Sequence, residues 1–106
     1  MKVSLEQAFI KLRNTETPFE QVMANGTMRV EIYKATKIDL QEPHTQDELY
    51  IIISGKSNFY NDGDTTNFKA LDALFKPASK EHRFQNFTDD FATWIIFYGK
   101  QGGESV

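Results

Sequence analysis

The stretch Glu42-Pro43-His44-Thr45-Gln46-Asp47-Glu48-Leu49-Tyr50-Ile51-Ile52-Ile53-Ser54-Gly55 decides the fold. On a helix, His44 and Glu48 would share a face as an i, i+4 pair. Pro43 and the largely β-branched run at 49–53 argue against a helix. In one flat strand the same step spans about 13 Å. Side chains that far apart do not converge on an ion whose bonds are about 2 Å long. His44 and Glu48 meet only if the chain bends at Thr45-Gln46-Asp47. One strand then ends at His44 and the next begins at Glu48.

Working outward, the same period-two signal recurs. Met28, Val30 and Ile32 alternate with Arg29, Glu31 and Tyr33, as in a half-buried strand. Residues 57–60 and 65–70 flank Asn61-Asp62-Gly63-Asp64, a hairpin turn with Asp-Gly at its centre. The acidic ladder of an EF-hand calcium loop is missing there. Leu74-Phe75 leads to Pro77, residues 83–87 read as a strand, and residues 91–98 as a final aromatic-rich one. The N-terminal segment has a different period. Leu5, Ala8, Phe9 and Leu12 form a helical stripe over residues 4–13, with Ser4 and Gln7 placed for a capping box. Phe19 and Val22 read as a weaker second helical turn before Asn25-Gly26. Many short strands with regular turn signals indicate an all-β sandwich or barrel. The expected organisation is a helical segment over 1–27 packed on a barrel over 28–98, then a Gly-rich mobile tail over 99–106.

Composition narrows the chemistry. The 106 residues make one domain, with 40% hydrophobic and 25% charged residues, within the range of globular chains. No cysteine is present, which excludes disulfides, thiolate metal sites and a thiol nucleophile. Net charge is −3 and the basic residues are scattered, so nucleic acid and anionic membranes are not expected partners. No apolar run approaches a membrane span of about 20 residues. The N-terminus lacks the long apolar stretch of a signal peptide, and the expected location is the cytoplasm. There is no Gly-rich phosphate loop and no nucleophile elbow. Any metal must be held by His, Asp, Glu, an amide oxygen or water, and the only other histidine is His82, after the 77–81 loop.

At this point the chain resembles the cupin superfamily. His44, three residues, Glu48, then six residues to Gly55 match the second half of its first motif. Pro77, Ser79, His82 and Asn86 match the spacing of its second, with Ser79 and Leu71 standing where that motif has glycine. The resemblance covers about residues 28–98. It implies a single cupin-type β-barrel, a double-stranded β-helix or jelly roll, preceded by a short helix. It also implies one divalent ion (Fe, Mn, Ni or Zn) held by His44, Glu48 and His82. The histidine usual two residues before His44 is Glu42 here. Glu42 shares a strand face with His44 and is one candidate for the further ligand. Gln46, through its amide oxygen, is the other and is slightly favoured.

If Glu48 points inward, alternation sends Tyr50 and Ile52 inward too, and Phe84 shares a side with His82. Arg83 then faces away. Trp94, Ile96 and Tyr98 share a face that the sequence does not identify. For most of these, core packing is the plain account. Glu48 and Tyr50 are the candidates for handling protons beside an ion. Two functions follow: a metal-dependent dioxygenase, isomerase or decarboxylase on a small organic substrate, or a non-catalytic barrel that binds or senses a small ligand. A metal-free barrel with a protein-contact role is a third. The resemblance further implies a homodimer.

Overall fold

The computed structural model describes residues 1–35, 44–61, 63–80 and 82–104. Helix α1 (Leu5–Arg13) begins as its sequence dictates. Ser4 Oγ accepts from Gln7 N–H at 3.1 Å, and Gln7 Oε1 accepts from Ser4 N–H at 2.8 Å, closing the capping box. Strands β1 (Phe19–Asn25), β2 (Met28–Tyr33), β3 (Asp47–Ser54), β4 (Lys56–Asn61), β5 (Asp64–Lys69), β6 (Ala73–Lys76), β7 (His82–Gln85) and β8 (Ala92–Tyr98) follow. The expected helical turn at Phe19 and Val22 is therefore a strand. β1 pairs antiparallel with β2 from Phe19↔Tyr33 to Asn25↔Met28, so cross-strand pairing overrides a weak local period.

Two antiparallel sheets build the fold: β1-β2-β8-β3-β6 and β5-β4-β7. The predicted Asp-Gly hairpin joins β4 to β5, with Asn61 opposite Asp64 and Gly63 at φ +96°. Between β3 and β4 stands Gly55 at φ +84°, where a Cβ would come within 2.6 Å of Phe91 Cα. Only glycine fits that approach.

The faces of the large sheet divide the core in two. Tyr50, Ile52, Ile95 and Phe97 point inward and pack with Phe59, Phe68, Phe84 and Phe91. Trp94 and Ile32 point outward, where Ala8 and Leu12 of α1 cover them. Beyond the helix the outer face forms an apolar groove of about 260 Å³ that includes Val30, Ile51 and Ile96. Trp94 and Ile96 thus take the outer face, the point that the sequence left open.

The described part of the C-terminal segment lies against the start of β3. Gly102 N–H donates to Thr45 O at 2.6 Å, and Glu104 N–H to Asp47 Oδ2 at 2.9 Å, which ties residues 102–104 to the start of β3. Among the described residues no helix is long and apolar enough to cross a membrane.

Candidate functional site

The start of β3 and the loop before β7 are stitched together by hydrogen bonds from backbone N–H groups to a carbonyl and a carboxylate. Ser79 N–H donates to His44 O at 2.6 Å, and Ala78 N–H donates to Asp47 Oδ1 at 2.9 Å. Asp47 is buried and uses its other oxygen on Glu104. One carboxylate therefore holds both Ala78, in the loop before β7, and Glu104. The stitching brings the histidines together, with ring centroids 6.1 Å apart. Two imidazoles on one tetrahedral or octahedral ion would stand roughly 5 Å apart between centroids, given bonds of about 2 Å, so this pair is neighbouring but set wider. His44 also lies edge-on against Phe97 at 4.9 Å.

Ser79 and Leu71 occupy the two motif glycine positions, and both keep the left-handed backbone that glycine favours, at φ +62° and +72°. The loop geometry has been retained without the residue that adopts it most easily.

Glu48 lies inside as expected, fully buried with Tyr50 and Ile52. Its environment was not foreseen. Lys76, its lateral neighbour on β6, is also fully buried, and its Nζ lies 2.9 Å from Glu48 Oε2. Tyr50 donates its hydroxyl to Glu48 Oε1 at 3.0 Å. Each carboxylate oxygen thus accepts a hydrogen bond from a buried side chain. The Tyr50 ring also stands 6.0 Å from the His82 ring, linking carboxylate and histidine.

Gln46 does not join this group. Its Oε1 accepts from Arg29 Nη2 at 3.1 Å, while its Nε2 donates to Thr27 O and Gly99 O. The amide is engaged by the β2 and β8 ends, so the expectation that it faces the histidines does not hold. Glu42 lies outside the described residues. Among those described, no three His, Cys, Asp or Glu side chains gather as an ion's ligands. The donor chemistry agrees: a carboxylate hydrogen-bonded to a buried ammonium does not complete the ligand set of an ion at the histidine pair.

Two residues escaped the sequence reading. Lys76 carried a usable signal, because it alternates with Leu74 and, on a strand, must share its side. Asn61 was absorbed into the turn. It sits opposite His82 in the β4–β7 register, and its Nδ2 donates to Phe75 O at 3.3 Å. Its Oδ1 is buried with no hydrogen-bond partner among the described residues.

Electrostatics extend along the inner face. The register places Arg29, Phe97, Glu48 and Lys76 in one lateral row across β2-β8-β3-β6. The Arg29 guanidinium lies over the Phe97 ring at 4.5 Å. Glu31, one step along β2, is held above the ordinary carboxyl range. Burial is the main cause, Glu48 and Glu20 add to it, and Arg29 opposes it.

Comparison with known proteins agrees with this architecture. An uncharacterised protein of Streptomyces coelicolor is 29% identical over 79 residues, covering 73% of this chain and 75% of its own. A cupin 2 conserved barrel domain protein from Salinispora arenicola superposes with a TM-score of 0.64 at 20% identity, over 76% of this chain and 74% of its own. A protein of unknown function from Rhizobium leguminosarum superposes with a TM-score of 0.70 at 16% identity, over 94% of this chain and 97% of its own. Residues 28–98 match the family described as Cupin domain. With that match across two sheets and both motifs, the chain belongs to the cupin family.

Proposed function

We propose that the polar end of this barrel, around His44, His82, Asn61 and Lys76, binds a small hydroxyl-bearing organic molecule. The observation that carries this reading is Asn61 Oδ1, a buried acceptor without a partner among the described residues. Leaving such a group unpaired costs about 1–3 kcal/mol. At the same end lies a surplus of donors. An ammonium has three N–H groups, and Glu48 is the one partner of Lys76 among the described residues. A hydroxyl both donates and accepts. A hydroxylated ligand therefore answers both needs, where a hydrocarbon answers neither. The aromatic walls Phe59 and Phe97 supply apolar contact beside it.

Glu48 and Tyr50, the candidates for proton handling, are joined to each other, so Tyr50 directs its proton at Glu48. If turnover occurs, the Lys76–Glu48–Tyr50 chain is the relay that this reading supplies. A divalent ion at the histidine pair is the second reading, supported by the two rings lying side by side.

The test is a titration of tag-free protein with sugars, polyols and hydroxy acids, followed by amide NMR. Saturable shifts should appear at Asn61 and His82. In Asn61→Leu they should vanish for the same compound. Retained binding in that variant would place the ligand elsewhere.

A further inference from the structure

We infer that the Lys76 ammonium is this barrel's resident cation, standing in for a divalent ion and keeping the His44–Glu48–His82 end closed to metal. Three observations carry this. The β3–β6 register sets Glu48 directly opposite Lys76, so both side chains leave the sheet on the same face. Both side chains have no solvent exposure, and their charged atoms are 2.9 Å apart. The second carboxylate oxygen is occupied by the Tyr50 hydroxyl. The carboxylate thus has its counter-charge and its second hydrogen bond already in place.

Charge arithmetic turns this into exclusion. An ion ligated by Glu48 would lie within roughly 5 Å of the ammonium, given metal–oxygen bonds of about 2 Å. Repulsion there acts inside the barrel, where water screens it poorly. The ion and the charged lysine therefore compete for one carboxylate. The histidines stay neighbours, their ring centroids 6.1 Å apart, with hydrogen bonds at Ser79 and Asp47 joining the two segments that carry them. Replacing the lysine should therefore leave Glu48 free to join the histidine pair around an ion. This inference stands apart from the hydroxylated-ligand reading and competes with the divalent-ion reading, which it excludes while Lys76 is charged. A hydroxylated ligand can bind with or without it, and a metal titration reads only the competition.

The experiment titrates tag-free wild type and Lys76→Met with Co(II), read by calorimetry and by visible absorption. Lys76→Met keeps side-chain length and removes the charge. It should take up one Co(II) per chain, at least about 100-fold more tightly than wild type. Its Tm should rise with the metal, and adding His82→Ala should abolish uptake. Equal, His82-dependent affinity in wild type would overturn the inference, as would a folded Lys76→Met that gains nothing. If Lys76→Met does not fold, wild type decides alone. The inference expects a slowly exchanging Lys76 ammonium resonance by ¹⁵N NMR, unmoved by excess Zn(II). A signal that shifts or vanishes at one equivalent of Zn(II) would end it.

Discussion

At the aromatic end of the interior, Phe84 lies 5.0 Å from Tyr50, 5.0 Å from Phe59, 5.6 Å from Phe68 and 4.7 Å from Phe91. At the polar end, two residues earlier on β3 and β7, the same inward alternation delivers Glu48 and His82. One backbone rule fills both ends, but different physics holds them. Aromatic packing needs shape and area, and any of its members contributes by itself. A buried charge is tolerable only with its partner, so Glu48 and Lys76 act as a unit. The aromatic end is where the barrel gains stability, and the polar end is where it holds groups that could serve a ligand.

The largest expected effects test that contrast directly. Phe84→Ala should cost about 3–5 kcal/mol in urea denaturation, because its neighbours collapse only partly into the void. Lys76→Met alone should cost a similar ~3–5 kcal/mol by leaving Glu48 buried and unpaired. The double replacement Glu48→Leu with Lys76→Met should recover that loss, ending between neutral and about 4 kcal/mol more stable than wild type. Strong non-additivity in this cycle is the signature of a unit. If the double variant is as unstable as the sum of its singles, the two ends do not differ as argued.

A smaller effect concerns the retained loop geometry. Leu71 is 83% exposed at φ +72°, so its side chain buries little while its backbone is strained. A left-handed L-residue costs about 1–2 kcal/mol, and glycine returns roughly 0.5–1 kcal/mol of that in chain entropy. Leu71→Gly should therefore stabilise by about 0.5–1 kcal/mol, measured as a higher urea midpoint at unchanged m. A loss of stability would mean that the leucine side chain makes a contact worth more than the strain.

These comparisons also show what the sequence could carry. The capping box at Ser4 and Gln7, the hairpin between Asn61 and Asp64 and the inward parity of Glu48, Tyr50 and Ile52 were legible, because each depends on local spacing. The convergence of His44 and His82 was legible only through motif resemblance, since 38 positions separate them and hydrogen bonds at Ser79 and Asp47 join them. The short strand β6 went unread, and Lys76 with it. A four-residue element gives too few alternations to stand out, and a lysine beside a proline reads as surface. Gln46 misled for a related reason. Its parity with Glu48 is right, but Arg29, Thr27 and Gly99 compete for its amide from elements far away in sequence. Phe19 and Val22 were claimed by a sheet edge that no local period announces.

The gentlest probe of the polar end is Glu31, half-buried on the same inner face. Burial raises its pKa above the ordinary value of 4.5, Glu48 and Glu20 push the same way, and Arg29 only partly offsets them. The native state therefore holds a proton on Glu31 more readily than the unfolded chain does. Where the unfolded chain has already lost that proton, stability falls as pH rises, from the ordinary carboxyl range up through the raised folded value. Above that value the ionised Glu31 is a standing cost. Glu31→Gln keeps the shape and removes the charge. It should be more stable than wild type at neutral pH, with the advantage closing as pH falls toward about 4. Urea denaturation across that range reads the difference. A constant difference at every pH would assign the effect to packing and detach Glu31 from the row formed by Arg29, Glu48 and Lys76. A gap that closes on acidification, and that shrinks when Glu48→Leu accompanies Lys76→Met, would show that the carboxylate pair sets the field felt one strand step away.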